Sequence, residues 1–205
     1  MWTDDKSMSY FVGIQENLKP TLSIEVGAYD ADYSKLMIKN NIPIYAFEAS
    51  TPVYDRFKDS LANINYINAA IADYDGEVQF NFIVGEEPSS IGHNGIKTGR
   101  WKVANTTTVQ CYSLDSYFED IKDQNIALWI DCEGANKEVL EGAKNLLEQV
   151  SSIYIEVEHT QLWKDIWTRA DVISYLNGKG FDMIKEYPAY PNQTNCIFIK
   201  KSLVF

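Results

Sequence analysis

The sequence predicts an α/β fold: an open, mostly parallel seven-stranded sheet with helices on both faces and an antiparallel terminal strand. Three observations carry this. Apolar runs of about four to eight residues alternate with segments of helical spacing, the pattern of strands buried on both faces and joined by crossover helices. The early apolar runs stop at a glycine or an acidic residue. The last two runs are separated by a loop too short for a crossover helix, so they should pair antiparallel.

In chain order, residues 7 to 19 carry Met8, Phe11, Val12, Gln15 and Leu18 at loosely helical spacing before Pro20, which makes 1–20 a lead-in helix. Thr21 to Val26 is a short apolar strand stopped by Gly27, with a helix over Ala31 to Asn40 behind it. Ile42 to Glu48 is a second strand, followed by a helix from Thr51 to Asn63 with Val53, Phe57 and Leu61 on one face. Ile64 to Ala72 is a third apolar run. Asp75-Gly76 then signals a turn before Glu77 to Val84, whose alternation marks an added strand or hairpin. Ala127 to Cys132 and Ser152 to Val157 are further strands on either side of a helix over Asn136 to Gln149. A helix near Ala170 to Asn177 precedes the terminal strands Phe181 to Glu186 and Cys196 to Lys200. No repeat or linker interrupts 1–205, so one domain is expected. The 21 residues from Gly85 to Asn105 lack periodicity and contain His93; such a length reads either as an acceptor lid or as a loose insertion.

Composition narrows the partners. Eighteen Lys plus Arg against 29 Asp plus Glu leave a net charge of -11, with no basic stripe, which disfavours nucleic acid and anionic membrane surfaces. The first residues show neither a basic start nor an apolar run, and no stretch approaches the roughly 18 apolar residues of a spanning helix, so a soluble cytoplasmic protein is expected. Cys111, Cys132 and Cys196 are odd in number and widely spaced, which speaks against disulfides and zinc and for small buried side chains. No metal site is expected.

Ligands of open α/β sheets bind at the carboxyl ends of the strands, near the point where strand order reverses. Three early strand ends there deliver Glu25, Glu48 and Asp73. Glu48 lies 21 residues after Gly27, the placement of a carboxylate that accepts ribose hydroxyls. Gly27 lets the backbone turn close to a ligand, and Glu25 is placed for an ammonium group. Asp73 suits an adenine amino group or, alternatively, a turn before Asp75-Gly76. Asp131 and Glu133 share a face if their strand continues, which suits acceptor positioning, a general base or, third, a hard cation; otherwise Glu133-Gly134 starts the next helix. His159 follows Glu156 and Glu158 at the next strand end and titrates near neutrality, so it is a second base candidate or a structural histidine.

Taken together, Ile24-Glu25-Val26-Gly27-Ala28, Tyr33-Ser34, Ala46-Phe47-Glu48, Ala70 to Asp73 with Gly76, Ser113-Leu114-Asp115, Ile130 to Ala135, Leu140 to Ala143 and Ile155-Glu156 resemble the FkbM-type methyltransferases in order and spacing over Thr21 to Glu158. The resemblance implies a Rossmann-like class I fold and S-adenosyl-L-methionine as donor. It also implies a hydroxyl on a sugar, glycan or small metabolite as acceptor. The donor site then comprises Glu25, Gly27, Ala28, Tyr29, Glu48, Ala49, Ala72 and Asp73, and the catalytic set Asp131, Glu133 and His159. The chain departs from the family pattern with Glu25 for Asp, Tyr29 for Asn, Ala31 for the second Gly, Ala49 for Pro, Trp129 for Lys and Asn136 for an acid. The last two changes bear on charge pairing at the acceptor side. Trp163 and Trp167 fall at helical spacing, as a core stripe or as a wall of the acceptor pocket. Rival functions are a non-catalytic donor-binding module and a nicotinamide-dependent oxidoreductase, the latter without its Gly-x-Gly-x-x-Gly turn.

Overall fold

The computed structural model describes residues 6–84 and 94–203. Helix α1 (Lys6–Leu18) leads into β1 (Leu22–Val26), α2 (Asp32–Met37), β2 (Ile44–Phe47), α3 (Thr51–Phe57), β3 (Asn65–Ile67), β4 (Ala70–Ile71), β5 (Gly76–Ile83) and β6 (Val103–Tyr112). Then come α4 (Leu114–Tyr117), β7 (Ile126–Ile130), α5 (Asn136–Glu141), β8 (Val150–Glu158), α6 (Arg169–Gly178), β9 (Phe181–Tyr190) and β10 (Gln193–Lys200). Seven strands form one sheet in the order β3-β2-β1-β7-β8-β10-β9. The sheet is parallel through β8, while β10 runs antiparallel to both β8 and β9. Strand order reverses between β1 and β7, which sets the cleft at their carboxyl ends.

Strands β1 and β7 are buried at every position, because helices cover both faces. On one face Ile24, Val26, Leu128, Ile130 and Ile155 pack with Val139 and Leu140 of α5 and Val172 and Leu176 of α6. On the other, Phe11 of α1 and Tyr33 of α2 close over Trp129 and Tyr154. Trp129 stacks on Tyr154 with centroids 3.4 Å apart and on Tyr33 at 4.8 Å. The lead-in segment is thus a structural cover for the sheet, not an appendage.

Three sequence expectations change. The apolar run Ile64 to Ala72 serves two sheets: β3 extends the large one, and β4 joins β6 and β5 in a second sheet of three strands, order β4-β6-β5. The chain crosses over at Asn68, whose side chain donates to the Glu48 carbonyl at 2.8 Å. Apolar character reports burial, and both sheets bury it. The 85–105 loop ends early, since β6 begins at Val103 and pairs along β5. Its run Thr106-Thr107-Thr108-Val109-Gln110-Cys111, β-branched with Val109 and Cys111 turned inward, was the unread strand signal. The helix over 136–149 stops after Glu141 and resumes only as a short 3₁₀ turn at Leu146–Glu148. A Cβ on Gly142 would lie 2.0 Å from the Ala72 carbonyl oxygen, so the chain can pass there only as glycine.

That break also explains two motif fragments. The Asp115 carboxylate accepts backbone N–H groups from Asn145 at 3.0 Å and Leu146 at 2.8 Å, while the Asp115 N–H donates to the Gly142 carbonyl at 2.8 Å. Ser113-Leu114-Asp115 and Leu140 to Ala143 therefore fasten one another. Asp115→Ala should lower stability by about 1.5–3 kcal/mol, the usual worth of hydrogen bonds to a charged group. In a chain of this size that is a fall of roughly 4–10 °C in melting temperature by calorimetry; an unshifted transition would refute the clasp.

Candidate functional site

The turn after β1 is pinned at several points. Gly27 and Ala28 both donate N–H to the Phe47 carbonyl at 3.0 Å, and Asp131 N–H donates to the Val26 carbonyl at 2.9 Å. Gly27 (φ 80), Tyr29 (φ 45) and Ala31 (φ 60) all take left-handed backbone conformations. Ala31 stands where the family pattern has glycine and Tyr29 where it has asparagine, the two residue types that adopt this conformation most readily. The surroundings hold both. Ala31 is fully buried, the Tyr66 hydroxyl donates to the Tyr29 carbonyl, and the Tyr29 ring meets Phe57 edge-on at 5.4 Å.

Glu48 ends β2 and is 8% exposed. One carboxylate oxygen accepts the Tyr29 N–H at 2.8 Å and the other the Ser50 N–H at 2.6 Å, which fixes the group's orientation. Each oxygen keeps a second lone pair for an incoming hydroxyl. Around it opens a cleft of about 770 Å³, its mouth included. The cleft is lined by Val26, Gly27, Tyr29, Phe47, Glu48, Ala49 and Ser50 from β1 and β2, by Ala69, Ala70 and Ile71 around β4, and by Asp131, Cys132 and Glu133 after β7. Asn94, Gly95 and Ile96 cover one side.

Glu25, Ala28, Ala72 and Asp73 do not line this cleft. Glu25 is 3% exposed and accepts the Ser34 N–H at 3.0 Å at the start of α2, so it braces the turn from behind. Ala28 is buried against α2, Ala72 packs in the small sheet, and Asp73 is exposed. The chain reaches the cleft one to three residues earlier, at Ala69 to Ile71. The register also relocates one departure from the family pattern. Trp129 is the β7 partner of Glu25 on β1, so the missing lysine removes a cation beside Glu25 at the donor turn, not at the acceptor side. Asn136, in place of an acid, is buried and donates to the Glu156 carbonyl at 2.7 Å, a bond a carboxylate could not make.

Strand β7 ends at Ile130, so Asp131 and Glu133 do not share a face by strand alternation. Helix α5 starts only at Asn136, so Glu133 does not begin it either. Glu133 (φ 44) and Gly134 (φ 80) form a left-handed turn that returns Glu133 to the cleft beside Asp131. Trp163 holds that turn from below: a Cβ on Gly134 would lie 2.9 Å from the indole. The tryptophan is buried with Leu162 and Ile166, and Trp167 packs on Tyr175, so both are core residues. His159 is exposed, lies outside the cleft lining, and its Nε2 meets the Thr194 hydroxyl at 2.6 Å. His93 lies outside the described residues. The described part of its segment is strapped across the cleft: Gly95 bridges to Asn81, Gly99 to Trp163, and Lys97 pairs with Glu138 at 2.6 Å.

Burial raises three carboxyls from an ordinary value near 4.5: Glu25 to about 8, Glu48 to about 7 and Glu158 to about 7. The folded state therefore holds more protons than the unfolded chain between about pH 4.5 and 8, and stability falls as pH rises through that window. Chemical denaturation of the free protein should give its higher stability near pH 5 and its lower near pH 8; the opposite slope would show these acids to be paired. All three cysteines are free. Among the described residues no set of three or more His, Cys, Asp or Glu is arranged to hold a metal ion, and no helix is long and apolar enough to cross a membrane.

The sheet order, the pinned glycine turn and the acid at the end of β2 define a Rossmann-like, S-adenosylmethionine-dependent methyltransferase fold. The chain belongs to the FkbM methyltransferase family: the model described as "Methyltransferase FkbM domain" matches residues 25–183. The family's methyl donor is S-adenosylmethionine. Solved structures agree in fold. The magnesium protoporphyrin IX methyltransferase from Synechocystis, with S-adenosylmethionine bound, is similar at TM-score 0.51 and 10% identity, over 96% of this chain and 77% of that one. A precorrin-6y C5,15-methyltransferase from Geobacter metallireducens is similar at TM-score 0.52 and 10% identity, over 96% and 88%. A ribosomal protein L11 methylase from Lactobacillus delbrueckii is similar at TM-score 0.51 and 11% identity, over 95% and 77%. A comparison with curated protein sequences finds no match. The cleft fits the donor in its chemistry: apolar Phe47, Ala49, Ala70 and Ile71 suit a purine, and Glu48, Asp131 and Glu133 with no Lys or Arg among the lining residues suit a cationic sulfonium and ammonium.

Proposed function

We propose that the chain is an O-methyltransferase for a hydroxyl on a sugar, glycan or small metabolite, working as one domain with residues 94–102, the described part of the 85–105 segment that precedes β6, as its acceptor lid. The observation that carries this reading is that Asp131 and Glu133 line the same cleft as Gly27 and Glu48. An alcohol must give up its proton to a base as it is methylated, a need that two carboxylates beside the donor turn can meet, and this favours oxygen.

In this reading Glu48 holds the ribose, Gly27, Tyr29 and Ala49 flank the donor, and Glu25 keeps the turn in place through Ser34. Bound there, S-adenosylmethionine supplies an electrophilic methyl group with a good leaving group. The protein's share is alignment and proton removal. Asp131 and Glu133 orient the acceptor hydroxyl, and one of them takes its proton. Gly95 and Ile96 keep water off the cleft. His159, exposed and bonded to Thr194, is the weaker base candidate.

The test is homocysteine release from S-adenosylmethionine with a panel of alcohols, amines and carboxylic acids. Turnover confined to hydroxyl acceptors, and lost in Asp131→Asn or Glu133→Gln, is the expected result. Methylation of amines in preference would overturn the oxygen assignment. Tight S-adenosylhomocysteine binding with no turnover of any acceptor would favour a non-catalytic module.

A further inference from the structure

The turn that brings Glu133 to the cleft is one the chain would not adopt unaided. Cys132 to Ala135 form a β-turn closed by the Ala135 N–H, which donates to the Cys132 carbonyl at 3.1 Å. Both central residues, Glu133 (φ 44) and Gly134 (φ 80), are left-handed, the type I′ pattern that Asn, Asp and Gly dominate. Gly134 takes it freely. For a glutamate the left-handed state is disfavoured roughly tenfold, and it persists only where the surroundings over-determine it.

Glu133-Gly134 is gripped from two sides. The indole of Trp163, 2% exposed, lies so close to Gly134 that a Cβ there would be 2.9 Å from ring carbons. Opposite, Gly95 passes so near that a Cβ on it would lie 3.4 Å from the Glu133 Cβ. Gly95 is itself fixed, exchanging N–H···O bonds with Asn81 at 2.8 and 3.1 Å. Both grips belong to one assembly, because the chain that continues from Gly95 is fastened to Trp163. The Lys164 N–H donates to the Thr98 carbonyl at 2.6 Å and the Arg100 N–H to the Leu162 carbonyl at 3.3 Å, so Gly99 pairs with Trp163 as in a short sheet. A Cβ on Gly99 would lie 2.3 Å from the Leu162 carbonyl oxygen, which leaves room for glycine alone. The Trp101 ring then meets Trp163 with centroids 5.0 Å apart.

We propose that Trp163 is the positioning residue for Glu133: with residues 94–102 seated on it, it holds the Glu133-Gly134 turn left-handed, so that Glu133 faces the acceptor hydroxyl only beneath a seated strap. The catalytic part rests on the O-methyltransferase reading above and has its own test. Hydrogen exchange of the Ala135 amide, followed by NMR, reads the turn. The exciton couplet of the Trp101–Trp163 pair in circular dichroism, assigned by its loss in Trp101→Leu, reads the strap. In Gly99→Ala the strap or the Leu162–Trp163 backbone must yield, so the couplet should shrink and Ala135 should exchange about tenfold faster. In a Glu133→Gly background no side chain opposes the left-handed turn, and Gly99→Ala should then leave Ala135 exchange unchanged. Trp101→Leu strips the ring contact without a backbone clash; it should speed Ala135 exchange in the same way, and it serves where Gly99→Ala does not fold. An unaltered couplet in Gly99→Ala, parent-like Ala135 exchange in both variants, or an equal acceleration in the Glu133→Gly background overturns the proposal. With the hydroxyl acceptor that homocysteine release selects, kcat at saturating S-adenosylmethionine should fall about tenfold in Gly99→Ala, in step with the lost turn; an unchanged kcat overturns the link to catalysis. A parent protein that turns over no acceptor sinks the methyltransferase reading instead, while the exchange measurements still decide whether Trp163 and the strap hold the turn.

Discussion

Gly27→Ala should cost more than about 3 kcal/mol of stability, the range reserved for backbone strain and severe overpacking. An added Cβ would lie 1.7 Å from the Asp131 carbonyl oxygen and 2.7 Å from its carbon. Neither atom can yield cheaply, because the Asp131 N–H is bonded to the Val26 carbonyl and the Gly27 N–H to the Phe47 carbonyl. The methyl group would push apart β1 and β7 at their carboxyl ends, where the cleft lies. To this is added the left-handed backbone at φ 80, itself worth about 1–2 kcal/mol to a residue with a Cβ. The expected result is a melting temperature lower by roughly 6–12 °C or more, and no detectable S-adenosylhomocysteine binding in whatever fraction stays folded. A variant that melts and binds as the parent does would show that the turn is not as tightly closed as described.

The same position shows what the sequence could and could not say. A glycine at the end of the first apolar run was legible as a turn that lets the backbone approach a ligand. In the structure its first duty is different: it lets the ends of two neighbouring strands come together. That the sheet is mostly parallel with an antiparallel end followed from the alternation of strands and helices and from the short loop before β10. The place of Glu48 in the cleft was legible because the end of the second strand can be counted along the chain from Gly27. Asp73 and Ala72 were misplaced relative to the cleft because the apolar run before them bends from one sheet into another at Asn68, and neither periodicity nor composition records a change of sheet. Glu25 had the right place on its strand, but its orientation depended on which side of β1 received α2. Asp131 and Glu133 reach one cleft through a left-handed turn instead of strand alternation.

Glu48→Ala should weaken S-adenosylmethionine binding by about 1.5–3 kcal/mol, or roughly 10- to 150-fold in affinity, the worth of hydrogen bonds between hydroxyls and a charged acceptor. The structure adds two refinements. Removing the carboxylate also strips the Tyr29 and Ser50 N–H groups of their acceptor, so part of the loss reflects a loosened turn. Glu48→Gln does not repair this, since an amide offers one acceptor and one donor where both facing groups donate. Burial raises the Glu48 carboxyl to about 7, so the free protein near neutrality holds it partly protonated. Ribose hydroxyls and a cationic donor favour the ionised form. Affinity for S-adenosylmethionine should therefore climb between pH 6 and 8 in the parent protein, with proton release on binding near neutrality, and the climb should be shallower in Glu48→Ala. Calorimetry in buffers of different ionisation enthalpy measures both quantities in one series. Parent-like affinity and pH dependence in a folded Glu48→Ala variant would remove Glu48 from the donor site and leave the ribose to Ser50 and the backbone of the turn.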